Sequence, residues 1–171
     1  MKLTEEIKKQ LEEVYQSFLN DERILKMKEI PMHRGSNCYI HSFKVAKLAI
    51  KRAIRHIKGN LFNILIASIL HDYYLYNWRE DHSKRKHHLS SHPYIAAENA
   101  EKDFAIHKPI INAIHSHMWP VNISDFPKTK EARILSLADK TIYIREIICS
   151  AAYKKKREAK YYRQIATLFD E

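Results

Sequence analysis

The chain has 171 residues, 45% of them apolar, which is enough for one compact domain with a real core and short for two. Thirty Lys and Arg against 20 Asp and Glu give a net charge of +10, which favours anionic partners such as a phosphate ester, a nucleotide or RNA. Two glycines, Gly35 and Gly59, leave no glycine-rich phosphate loop, and Cys38 and Cys149 form no CxxC pair, so P-loop, dinucleotide-fold and disulfide-framework readings are excluded.

Thr4 is placed to cap a first helix running to about Asn20, with Glu5 and Glu6 suiting its positive end. The opening MKLTEEIKKQLEEV is charged and has no apolar stretch of the signal-peptide kind, so a reducing cytoplasm is the expected setting. A helix from about Ser36 to Lys58 puts His41, Val45, Leu48 and Ile54 near one stripe. Leu61 to Asp72 is apolar all round, as a central buried helix would be. Its longest apolar run, Leu61 to Leu70, is about half of what a membrane span needs, so no membrane segment is expected. A polar loop, NWREDHSKRKHHLSS, follows. Pro93 and Pro109 each read as the first residue of a helix, over about His92–Phe104 and Lys108–Met118. WPVNISDFPKTK reads as a loop, and a long helix is expected from about Lys130 to Tyr153. A basic helix, KKKREAKYYRQIATLF, closes the chain. There is no strand alternation, repeat or linker, which predicts a single all-α domain over residues 1–171.

Several polar residues fall in apolar places, where burial is costly without a partner. His71 and Asp72 end the buried helix. Asp139, in ARILSLADKTIYI, shares a helical face with Ala132, Leu135 and Ile142. His41 lies on the stripe of Val45 and Leu48. His117 continues the stripe of Ile110, Ala113 and Ile114, whereas His115 points elsewhere, and His92 stands at the N-terminal edge of its helix. Taken singly, Asp139 reads equally well as a cap or an ion-pair partner, and His41 as a hydrogen-bonded core histidine. Together they put four histidines and two carboxylates on the inner faces of five successive helices. One divalent metal site, or two sharing a carboxylate, explains all of them. Nitrogen and carboxylate donors suit iron, manganese, zinc or cobalt, and the absence of cysteine from this set argues against a structural zinc.

The order His41, then His71–Asp72, then Asp139 resembles the H…HD…D signature of the HD-domain phosphohydrolase superfamily. The resemblance runs from about His33 to Glu146. The stretches MHRGSNCYIHS, LHDYYLYNW, HHLSSHPYIAAENA and HMWP are similar to a bacterial subgroup of small single-domain HD proteins. This resemblance implies a compact helical bundle of the HD type, with the terminal helices packed on the motif region. It implies that His41, His71, Asp72 and Asp139 hold one divalent ion. In members with two ions, His92 and His117 would hold the second, Asp72 would bridge, and His115 competes with His117. The cofactor would be one or two ions of iron, manganese, zinc, cobalt or magnesium.

The activity implied is hydrolysis of a phosphomonoester or phosphoanhydride by a metal-activated water, with Asp72 as the catalytic residue. The same pattern occurs in bacterial HD enzymes that cleave diadenosine tetraphosphate, which makes a nucleotide the expected substrate. The GYP extension of cyclic-dinucleotide phosphodiesterases is absent, and the length leaves no room for the synthetase domain of stringent-response enzymes. For substrate contacts the candidates are Lys140, beside the ligand Asp, and His88 and Arg85 in the polar loop. A surface lysine and a solvated loop are the plainer readings. Trp119 reads as a stacking partner for a base or as packing, and His33 has no assigned role. The rival expectation is a helical binding module for RNA or another anionic partner, with a structural or absent metal. It rests on YKKKREAKYYRQ, which reads equally as a solvated helix face with partly packed tyrosines.

Overall fold

A computed structural model of the protein describes residues 3–32, 36–56, 59–148 and 160–169. Helix α1 (Glu5–Leu19) begins where Thr4 Oγ1 accepts a hydrogen bond from the Ile7 amide at 3.3 Å, and it buries Leu11 and Tyr15. Asp21 caps α2 (Glu22–Leu25) by accepting from the Arg23 amide at 2.8 Å, and the chain runs on into a 3-10 turn over Lys26–Glu29. These two single turns are too short to show a periodic stripe. They carry Ile24 and Met27 into the core.

The centre of the molecule is α4 (Leu61–Leu70), capped by Asn60, whose Oδ1 accepts from the Asn63 amide at 3.1 Å. Ile64, Leu65, Ile69 and Leu70 are fully buried, and each such side chain contributes about 1.5–3 kcal/mol by leaving water. Around α4 lie α3 (Cys38–His56), α7 (Lys108–Ser116) and α8 (Lys130–Ile148), with α1 and α6 (His88–Phe104) also touching it. The all-round apolar sequence of α4 is thus the consequence of neighbours on every side. A short α5 (His82–Arg85) interrupts the expected polar loop. Among the described residues there is no strand, only an isolated bridge between Pro31 and Asn37, and the fold is all-α.

Helix α6 departs from the sequence expectation. It begins at His88, four residues before the predicted start, because the His87 carbonyl accepts from the Ser90 and Ser91 amides and hydroxyls. Pro93 therefore lies inside the helix instead of opening it. Its missing N–H removes the i→i−4 helical bond to the Leu89 carbonyl, on an exposed residue. In α7, Pro109 follows Lys108 and sits at the second helical position. Helix α8 is described to Ile148; the predicted extension to Tyr153 and residues 154–159 of the basic terminal helix lie outside the described residues. Residues 160–164 are helical, and the segment after them packs back on α1. There Tyr15 Oη donates to the Ile165 carbonyl at 2.8 Å, and Glu12 Oε2 accepts from the Leu168 amide at 2.9 Å. Among the described residues no helix is long and apolar enough to cross a membrane.

Candidate metal centre

Helix α4 ends by pointing His71 and Asp72 into the junction of α3, α6, α7 and α8. His71 is the C-cap of α4, and its Nδ1 donates to the Ser68 carbonyl at 2.9 Å. His117 caps α7 in the same way, with Nδ1 donating to the Ile114 carbonyl at 2.7 Å. On α6, His92 Nδ1 donates to the His88 carbonyl at 2.9 Å. A carbonyl only accepts, so in each neutral ring Nδ1 holds the proton and Nε2 presents its lone pair. On α3, His41 Nδ1 lies 3.0 Å from Glu146 Oε2, a carboxylate in the place of the carbonyl.

All four Nε2 atoms converge on two aspartates. Asp72 Oδ2 lies 3.3 Å from His71 Nε2 and 3.9 Å from His41 Nε2, while its Oδ1 lies 3.4 Å from His92 Nε2 and 3.9 Å from His117 Nε2. Asp139 Oδ1, on α8, is 3.0 Å from His41 Nε2 and 3.7 Å from His71 Nε2. Thus the two oxygens of one carboxylate face two different histidine pairs, and Asp139 completes the first. His41, His71, Asp72, His92 and His117 are all buried, and Asp139 is the most open of the six.

Two features make this donor set fit divalent cations. His71 Nε2 is buried without a hydrogen-bond partner. His92 and His117 bring their Nε2 atoms to 3.1 Å of each other, so two lone pairs oppose unless a proton or a cation lies on them. Nitrogen and oxygen donors with no sulfur fit iron, manganese, cobalt or zinc. The triplets His41–His71–Asp72, His71–His117–Asp139 and Asp72–His92–His117 each bring their donor atoms within 4.8 Å of one another, close enough to hold an ion.

Protons take the place of a cation in the metal-free electrostatics. Burial opposes charge on His41, but hydrogen bonds to Asp139 and Glu146 outweigh it and lift its pKa to about 9. His71 is likewise raised well above its ordinary value, against burial, by the charge of Asp72 and by Asp139. Burial pushes His117 down to about 3, helped by charge on His71 and His92. Asp72 and Asp139 are held well below the usual carboxylate range, against burial, by these histidines.

The remaining candidates lie elsewhere. His88 is not on an open loop: it is buried at the start of α6, stacked between Trp78 at 5.0 Å and His92 at 4.9 Å, with Nδ1 2.9 Å from Tyr76 Oη. Lys140 Nζ donates to the His117 carbonyl at 2.9 Å and to Ser136 Oγ at 2.6 Å, behind a ligand rather than in front of it. Arg85 is exposed on α5. His115 faces Tyr94 at 5.0 Å, apart from the cluster, and Trp119 packs edge-on against Phe126 at 5.3 Å. His33 lies outside the described residues.

Glu146 is the buried carboxylate beside the cluster that the sequence reading leaves out. Its Oε1 takes Lys44 Nζ at 3.1 Å, and its Oε2 lies 3.0 Å from His41 Nδ1. The signal was present: Glu146 is two helical turns after Asp139, on the same face as Ile142.

Comparison with known proteins decides the family. The HD-domain family model matches residues 38–144, well over half the chain. The chain belongs to the HD-domain family. HD domains bind divalent metals, and the family consists mostly of metal-dependent hydrolases. No curated protein and no solved structure matches the chain.

Proposed function

We propose that this HD domain is a metal-dependent phosphohydrolase that acts on a nucleotide or another small phosphate ester. The supporting observation is the split engagement of Asp72, whose Oδ2 faces His41 and His71 while Oδ1 faces His92 and His117. A carboxylate shared between two donor groups suits two ions better than one. His41, His71, Asp72 and Asp139 would hold the first ion, and His92, His117 and Asp72 the second. Bound there, divalent ions supply the Lewis acidity that activates water and stabilises charge on phosphoryl oxygens.

The chain's own part is preorganisation. Three backbone carbonyls and Glu146 fix the four imidazole rings, so each neutral ring turns Nε2 inward without reorganisation. Burial of the histidines keeps bulk water from competing for their lone pairs. Substrate approach is from the side of Asp139, the most exposed of the six. The +10 net charge favours the arrival of an anion. Cys38 is a free, buried thiol, which suits the reducing cytoplasm proposed as the setting.

The test is a screen of nucleotides and dinucleoside polyphosphates with protein loaded with Mn²⁺ or Fe²⁺. Release of phosphate or of a mononucleotide, lost in Asp72→Ala, is expected. Absence of hydrolysis with every metal, together with RNA binding that falls steeply with salt, would replace the hydrolase with the binding module.

A further inference from the structure

We infer that Glu146 is a positioning residue for the metal centre, and that the C-terminal segment 160–169 sets the grip of that centre through Tyr161 and Lys44. The inference rests on the metal-centre reading above. It starts from a feature outside the family match, which ends at residue 144. Glu146 Oε2 accepts from His41 Nδ1 at 3.0 Å, and Oε1 takes Lys44 Nζ at 3.1 Å and the Ser36 hydroxyl at 3.4 Å. Lys44 Nζ lies 3.4 Å from the centroid of the Tyr161 ring, and one turn along α3 Lys47 Nζ donates to the Gln164 carbonyl at 2.8 Å.

A continuous chain of contacts therefore runs from the C-terminal segment to His41 Nε2: Tyr161 over Lys44, Lys44 to Glu146, Glu146 to His41. Glu146 is 8% exposed, and a carboxylate is not buried there for solubility. Its geometry gives it two effects on His41. It holds the ring so that Nε2 faces Asp139, and its negative charge raises the electron density of the ring nitrogen that a metal would use. Lys44 in turn fixes Glu146 by its contact with Oε1, and the aromatic face of Tyr161 holds the ammonium in place. The other three histidines rest Nδ1 on neutral carbonyls of their own helices, whereas the Nδ1 of His41 meets a carboxylate 105 residues away in the chain. Docking of residues 160–169 on α1 and α3 thereby becomes a determinant of metal affinity.

The test is a Co²⁺ titration of the chelator-stripped full chain, read by visible absorption and by competition with a chromophoric chelator. Glu146→Leu is expected to lower Co²⁺ affinity by about 10- to 100-fold and to shift the absorption band, whereas Glu146→Gln, which retains an acceptor for His41 Nδ1, recovers part of the affinity and the band position. Tyr161→Leu, remote from every donor atom, is expected to weaken binding by about two- to fivefold. If the unmodified protein takes up no Co²⁺, the metal-centre reading fails and this inference with it. If it binds Co²⁺ and Glu146→Leu matches it in affinity and band, the centre stands and the role of Glu146 is overturned. Should Glu146→Leu not fold, Glu146→Gln and Tyr161→Leu at the unmodified affinity and band would overturn it equally. An effect at Glu146 with none at Tyr161 would remove the C-terminal segment from the inference.

Discussion

His71, His92 and His117 each spend Nδ1 on a carbonyl of their own helix, which leaves a single nitrogen free to meet Asp72. Asp72 is the member that both groups share, so its loss has no local substitute. Asp72→Ala is expected to abolish metal retention and turnover together, as elemental analysis and a phosphate-release assay would show; full activity in this variant would exclude the mechanism. Acidity acts on the same residues. The metal-free pKa of His41, about 9, lies above its unfolded value, so its contribution to stability is complete below about pH 6.5 and is lost as pH rises through 9. For His117, depressed to about 3, the contribution is present above pH 6.5 and is lost as pH falls toward 3. Chelator-treated protein is therefore expected to be most stable near pH 6.5, by thermal denaturation across pH. Metal must displace the protons on His41 and His71, so Mn²⁺ affinity is expected to rise with pH over the same alkaline range. Of the six candidate donors, His41, His117 and Asp139 are legible as polar residues on apolar stripes and His71 and Asp72 as the polar end of an apolar run, whereas His92 shows only as a residue at a helix edge. Glu146 is not legible, because a glutamate near the end of a helix reads as solvated until its face is followed back to Asp139.

At the scale of elements, the centre depends on where α4 ends. Leu65→Ala on that helix is expected to cost about 2–5 kcal/mol by urea denaturation, because its side chain is fully buried between helices that cannot close over a cavity. Thr4→Ala, by contrast, removes one exposed cap bond on α1 and is expected to cost about 1 kcal/mol, leaving metal binding unchanged. The elements that periodicity exposes best are those with long apolar faces: α1, α3, α4 and α7 lie within a few residues of their expected positions. Single turns escape it. Neither α2, the 3-10 turn nor α5 contains enough residues to declare a face. The start of α6 was missed for a different reason. Pro93 reads as a helix opener by its preference for the first turn, yet the helical bonds already begin one turn earlier, where the His87 carbonyl accepts from the Ser90 and Ser91 amides. That four-residue extension matters, since it turns His88 from a loop residue into the ring that stacks behind His92.

For the whole molecule, burying three carboxylates and four histidines at one junction is a destabilising arrangement that a bound cation offsets. Saturation with metal is expected to raise the thermal midpoint, the stabilisation reaching about 2.7 kcal/mol when free Mn²⁺ is 100 times its Kd. A midpoint unmoved by Mn²⁺ or Fe²⁺ would mean that the buried charges are balanced by protons alone. The most direct measurement is metal content per chain, by elemental analysis of protein reconstituted with iron or manganese and then desalted, alongside the His92→Ala/His117→Ala double variant. About two ions per chain, falling to about one in the variant, is the result predicted for a carboxylate shared between two ions. No retained ion, or a content that the double variant leaves unchanged, would contradict it.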